Sequence, residues 1–287
     1  MNLTDRAAVR DLLTRHGFTF SKAMGQNFLV NPAVCPRMAE EGGAAAGVGV
    51  LEIGPGIGVL TVELAKRAEK VVCIELDRRL EPILHETLRG YDNVEIIWGD
   101  VLETDLAALL AGRFAGMPVV VCANLPYYIT TPILMALLER RLPIESITVM
   151  VQKEAADRLT ALPGEKNCGA ISAAVAWYAQ PQRLFTVSAG SFLPAPKVDS
   201  AVIRLDLHKA PPIGETDEKQ LFTVVRGAFS QRRKTCANAL TSALGCEKSA
   251  VFAALADCGL AENIRAEALN LEEFAALTRA LAARGLV

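Results

Sequence analysis

The densest chemistry in the sequence is Asn124-Leu125-Pro126-Tyr127. A side-chain amide, a backbone carbonyl fixed by the proline that follows it, and an aromatic ring lie side by side. A planar base bearing an amino group needs acceptors for its two N–H groups and a ring to stack on. The competing reading is an Asn-Pro turn with a core tyrosine. Upstream runs Leu51-Glu52-Ile53-Gly54-Pro55-Gly56-Ile57-Gly58, whose glycines let a backbone approach a ligand closely. A nicotinamide fingerprint asks for Gly or Ala at the sixth position from Gly54, where Val59 stands, and Glu52 and Pro55 suit a dehydrogenase poorly. Glu75 can accept both ribose hydroxyls of an adenosine-type ligand, against the plain alternative of a solvated strand-end acid; Asp77 is a nearby competitor that reads better as a helix cap. In Gly99-Asp100-Val101, Asp100 can accept from an adenine amino group and Val101 can flank the ring; the plain alternative is an Asx turn.

These residues need elements that carry them to one place. Apolar runs alternate with helical patterns: strands at 48–53, 71–75, 94–98, 118–123 and 147–151, with helices at 58–68, 78–88, 106–111 and 132–141 and another after the fifth strand. Continuous apolar strands separated by helices indicate a parallel sheet covered on both faces. Each motif above then falls at the carboxyl end of a strand, where an α/β sheet binds its ligand. Two further strands are expected at 183–187 and 198–207. Residues 1–45 read as helices and loops: Thr4-Asp5 caps the first helix, Gly17 ends it, and Asn31-Pro32 starts the next. His208 to Thr216 reads as a linker between a catalytic domain at 1–207 and a small all-helical domain at 208–287, with apolar residues at helical spacing beyond it.

Composition narrows the function classes. Half of the 287 residues are hydrophobic, so a large core can form. No apolar run approaches a membrane span, and MNLTDRAAVRDLL lacks a signal core, so a cytoplasmic protein is expected. Seven scattered cysteines contain no CxxC, and the three histidines have no ligand spacing; no metal is expected. The formal charge of −2 argues against binding nucleic acid through bulk positive charge. It conceals a segregation: residues 40–105 carry 14 acids and 6 bases, whereas 219–245 carry five bases and no acid. Arg226, Arg232, Arg233 and Lys234 in that run form a candidate RNA-phosphate surface, against the plainer reading of a solvated helix face.

Taken in order, QNFL (from Gln26), EIGPGIG, GDVL, NLPYY, FLPAPKVDSAV (from Phe192) and FSQRRKT (from Phe229) resemble the rRNA adenine dimethyltransferases, specifically the bacterial small-subunit (16S) type, over about Gln26 to Asn238. The resemblance implies a class I methyltransferase fold, Rossmann-like, with a seven-stranded sheet whose last strand is antiparallel, and S-adenosylmethionine (SAM) as cofactor. It implies that Gln26, Asn27 and Leu29 form the N-terminal wall of the cofactor site, that Glu52 belongs to that site, and that Gly54, Gly56 and their loop approach the methionine moiety. Glu75 would take the ribose hydroxyls, and Asp100 with Val101 the adenine. Asn124 would meet both the cofactor side and the target amine, Leu125 and Pro126 would supply the second acceptor, and Tyr127 would stack on the target adenine with Phe192 as a second aromatic face. Tyr128 stands where many relatives have Asn, which leaves its role open. The expected substrate is a pair of adjacent adenosines in a small-subunit rRNA hairpin loop, within an immature ribosomal subunit, for a monomeric enzyme. Competing readings are a resistance-type large-subunit rRNA methyltransferase, opposed by RRKT and the long helical C-terminal region; a DNA adenine methyltransferase, left without a recognition domain; and a mainly non-catalytic small-subunit assembly factor.

Overall fold

The computed structural model describes every residue except 22, 23, 166 and 215. The chain opens with α1 (Arg6–Arg15), strand β1 (Phe28–Leu29) and α2 (Val34–Glu41). There follow β2 (Gly49–Ile53), α3 (Val59–Ala65), β3 (Lys70–Glu75), α4 (Glu81–Thr87), β4 (Val94–Trp98), α5 (Leu106–Arg113), β5 (Val119–Asn124), α6 (Thr130–Glu139), β6 (Ser146–Gln152), α7 (Lys153–Leu159) and α8 (Ala170–Tyr178). The remainder is β7 (Ala179–Val187), β8 (Phe192–Leu193), β9 (Ser200–Leu207), α9 (Glu218–Phe229), α10 (Cys236–Leu244), α11 (Lys248–Asp257) and α12 (Leu271–Ala282).

Seven strands form one sheet in the order β4-β3-β2-β5-β6-β9-β7. The pairs from β4 to β6 are parallel, and β9 runs antiparallel to β6. Strands β2 and β5 are buried along nearly their whole length, which is why their sequences show no polar alternation. Each fully buried Val, Leu or Ile there contributes about 1.5–3 kcal/mol relative to exposure. Gly49 opens β2 because a Cβ at that position would stand 2.3 Å from the Phe114 ring. The sheet changes winding direction between β2 and β5, and a crevice opens there beyond the carboxyl ends of the strands.

Local chemistry sets the first helix. Asp5 accepts from the Ala7 and Ala8 N–H groups at 2.8 Å, and Gly17 takes φ +61° just past the end. Asn31 caps a turn rather than a helix, accepting from Ala33 N at 3.0 Å, so α2 begins three residues after it. Strands β1 and β8 pair as a small antiparallel ribbon, Phe28 opposite Leu193 and Leu29 opposite Phe192. Among the described residues, no helix is long and apolar enough to cross a membrane.

The chain separates into two compact units. One comprises Met1–Ala156 and Gln182–Leu207; the other comprises Asp157–Pro181 and His208–Val287. One division falls between Leu207 and His208, and 157–181 groups with the C-terminal helices rather than with the residues before it. The reason lies in α8: Trp177 Nε1 donates to Glu218 Oε2 at 3.0 Å, Tyr178 Oη donates to Glu218 Oε1 at 2.8 Å, and the Tyr178 ring stacks on Phe222. The apolar sequence of α8 is buried against α9, a partner about forty positions further along the chain.

Candidate active site

A single cavity at the crevice collects nearly all the expected residues. Gln26, Asn27, Leu29, Glu52, Gly54, Gly56, Glu75, Asp100, Val101 and Asn124 through Tyr127 all line it. The loop after β2 is shaped by left-handed glycines, Gly54 at φ +70°, Gly56 at +60° and Gly58 at +86°, a region costly for any residue with a Cβ. A Cβ at Gly54 would meet nothing within 4 Å, so the backbone there borders open space. A Cβ at Gly56 would press on the Phe28 ring at 3.2 Å.

Glu75, at the end of β3, turns its carboxylate toward this loop. Oε2 accepts from Gly56 N at 3.2 Å and Oε1 from Asp77 N at 2.8 Å. Each oxygen keeps lone-pair capacity for a further donor. Burial raises the Glu75 carboxyl above its ordinary range, opposed by the backbone donors from Asp77 and Gly56. Leu76, half exposed, adds an apolar rim beside it.

Asp77 does more than cap. Its carboxylate accepts from Arg79 Nε at 2.8 Å and from Gln26 Nε2 at 2.7 Å, while Gln26 Oε1 accepts from Ser21 N at 3.0 Å. The Arg79 guanidinium holds the Asp77 carboxyl below its usual range and lies over the Phe18 ring at 5.1 Å. Gln26 thus forms part of the wall because Asp77 fixes its amide. Asp77 also supplies the expected cap through Arg79 N at 3.1 Å.

Asp100, after β4, makes the Asx turn, accepting from Leu102 N at 2.8 Å through Oδ1, and still borders the cavity. The loop that follows is held by Arg140 at the end of α6, which donates to the Leu102 and Thr104 carbonyls at 2.7 and 3.0 Å. Nothing in the sequence spacing pointed to Arg140, since its partners are backbone atoms.

Glu52 lies inside the sheet at 1% exposure. The Cys73 thiol donates to its Oε2 at 3.3 Å, and the Thr61 hydroxyl is near but outside hydrogen-bond geometry. Burial pushes its carboxyl up to about 7.

At the end of β5, the Asn124 side-chain amide has no hydrogen-bond partner among the described residues. Leu125 N donates to the Met150 carbonyl at 3.2 Å, while its own carbonyl accepts nothing among the described residues. Pro126, at φ −58° and ψ 132°, fixes the turn. The Tyr127 hydroxyl shares a hydrogen bond with Ser200 Oγ at 2.7 Å, which anchors the ring; burial raises its pKa.

Phe192 departs from expectation. It is 1% exposed, lies in the core through the β1–β8 pairing, and does not line the cavity. In this conformation it cannot offer a face to a base. Its pairing with Leu29, which does line the cavity, turns the Phe192 ring into the core instead.

In the other unit, Arg226 lies in the last turn of α9, and Arg232, Arg233 and Lys234 lie in the connection to α10. All four are exposed, with no acidic partner among the described residues.

This strand order, with an adenosine-sized set of acceptors at the carboxyl ends of β3 and β4 and an amide at the end of β5 that is unpaired among the described residues, defines a class I methyltransferase. The profile of the family described as ribosomal RNA adenine dimethylase matches residues 17–283. The chain is 48% identical over 276 residues to "Ribosomal RNA small subunit methyltransferase A" of Geobacillus thermodenitrificans, covering 95% of this chain and 94% of that protein. It is 47% identical over 273 residues to the protein of the same name from Bacillus licheniformis, covering 94% of each. Among solved structures, a dimethyladenosine transferase from Plasmodium falciparum matches with a TM-score of 0.75 at 26% identity, over 90% of this chain and 98% of that one. The 23S rRNA methyltransferase ErmE matches with a TM-score of 0.69 at 28% identity, over 89% and 100%. The chain belongs to the ribosomal RNA adenine dimethylase family.

Proposed function

We propose that the chain is a SAM-dependent dimethyltransferase acting on the exocyclic N6 amines of two adjacent adenosines in a hairpin loop of small-subunit (16S) rRNA, within an immature ribosomal subunit. It would work as a cytoplasmic monomer, with the first unit binding cofactor and the second binding rRNA. The observation that carries this reading is the Asn124 amide at the cavity, beside the Leu125 carbonyl and the anchored Tyr127 ring, with neither the amide nor the carbonyl hydrogen-bonded among the described residues. The relatives named for the small subunit favour it over the large-subunit alternative, which ErmE represents at much lower identity.

The cavity fits the cofactor. The open space above Gly54 gives backbone room for the methionine portion, Glu75 retains acceptor capacity for two hydroxyls, and Leu76 and Val101 offer apolar surface beside Asp100. When bound, SAM supplies a methyl group on a sulfonium, already a strong electrophile. The protein's task is therefore to present the amine. The N6 lone pair of adenine is delocalised into the ring. Acceptors from Asn124 and the Leu125 carbonyl would hold its hydrogens and favour a pyramidal nitrogen with the lone pair exposed. Tyr127 would hold the ring in plane, so orientation supplies most of the acceleration. The product ammonium can release its proton to solvent. A loop adenosine costs less to extrude than a paired one.

The test is methyl incorporation from labelled SAM into small-subunit particles lacking the modification, with the modified bases mapped. Two neighbouring dimethyladenosines in a loop of the small-subunit rRNA are expected; label confined to large-subunit rRNA or to duplex DNA would overturn the reading. A separate arm tests the basic turn. Arg232→Ala combined with Arg233→Ala is expected to weaken particle binding and to reduce the slope of log affinity against log salt by roughly 1–2, with SAM binding retained. An unchanged slope would remove these arginines from the RNA surface.

A further inference from the structure

With Phe192 in the core, the aromatic surface of the cavity comes from elsewhere. Tyr128 is 58% exposed and lines the same cavity as Asn124 and Tyr127. The two tyrosines open one 3₁₀ turn, residues Tyr127–Ile129, in which successive side chains diverge by about 120°. Tyr127 is held by its hydroxyl to Ser200. Tyr128 is directed to solvent, and no ring or cation stacks on it among the described residues. A Cβ at Gly25, a residue at φ +59°, would stand 3.3 Å from Tyr128 Cδ1 and crowd the ring edge, so the glycine keeps that edge clear. The ring remains largely open to solvent.

We infer that Tyr128 is a stacking platform for an unpaired nucleobase of the substrate RNA, the base adjacent to the target adenine. Extruding one adenosine from a loop removes a stacking partner from its neighbour, and an exposed ring at the cavity mouth replaces it. Tyr127, anchored deeper, faces the target, and Tyr128 the base beside it. This inference rests on the proposed RNA substrate. Tyr128 is then a specificity-determining residue that favours loops carrying a free base next to the methylated one.

The test compares wild type with Tyr128→Ala, Tyr128→Leu and Tyr128→Phe on small-subunit particles lacking the modification. At saturating SAM, the Ala and Leu variants are expected to raise KM for the particle by roughly ten- to a hundred-fold, while Phe restores it. SAM affinity, measured by titration without RNA, is expected to be the same in all four proteins. A hairpin RNA carrying 2-aminopurine beside the target adenosine should be quenched by wild type and the Phe variant only. A wild-type KM in the Ala variant, rescue by Leu as complete as by Phe, or a parallel loss of SAM affinity would each overturn the stacking role. Failure of wild type itself to methylate the particle would instead overturn the proposed substrate.

Discussion

Asn124→Ala is expected to slow methyl transfer by about a hundred- to a thousand-fold, the usual cost of losing one placed polar group at a reacting centre. The amide ends β5, where Val119 to Ala123 are buried and fix the backbone, and its side chain makes no hydrogen bond among the described residues. Its removal leaves no internal polar partner stranded, so the loss falls on chemistry rather than on stability. The Leu125 carbonyl, set by Pro126, remains as a second acceptor, which is why residual activity is expected. Single-turnover transfer to small-subunit particles checks this, with SAM titration as the control. Full dimethylation at the wild-type rate would sink the proposed role of the amide.

The second large effect is on stability. Glu52→Gln is expected to abolish a pH dependence worth about 3 kcal/mol. The folded carboxyl sits at about 7, against an ordinary value of 4.5, because burial penalises its charge and because Glu75 is nearby. The thiols of Cys35, Cys73 and Cys122 lie close to it, each held neutral by burial, and a neutral thiol offers no positive charge to offset a buried carboxylate. The folded state thus binds this proton more tightly than the unfolded chain. The corresponding stability is fully present below pH 4.5 and is lost as pH rises through 7. Wild type should lose it between about pH 5 and 8, while the Gln variant, which cannot ionise, should not. Denaturant unfolding of both proteins at pH 5, 6, 7 and 8 isolates the term by difference. Parallel pH profiles would show that Glu52 does not carry it.

The candidate site residues at strand ends were legible because an α/β sheet converts sequence order into spatial convergence: an acid closing one apolar run and an amide closing another must meet at the same edge. Asn124, Glu75 and Asp100 were readable in this way. Phe192 was not, because a two-residue strand carries no periodic signal, and its pairing with Leu29 decides which way the ring turns. The Asp77–Gln26 bond spans 51 positions and depends on the path of the N-terminal segment, which no local pattern encodes. Tyr128 looked like a mere departure from a motif until its exposure was known. The grouping of 157–181 with the C-terminal helices was hidden for a related reason: apolarity in α8 announces burial but not the partner.

That grouping bears on how the chain is made. During synthesis α8 leaves the ribosome well before α9, so Trp177 and Tyr178 must wait for Glu218 and Phe222 while strands β7 to β9 are laid down between them. The helical unit cannot mature as an independent appendage added at the end, and a nascent chain stopped at Leu207 would carry an orphaned aromatic face. Such exposed apolar surface invites misassociation. The helical unit closes only after α9 has been made, so its completion waits on residues beyond Leu207.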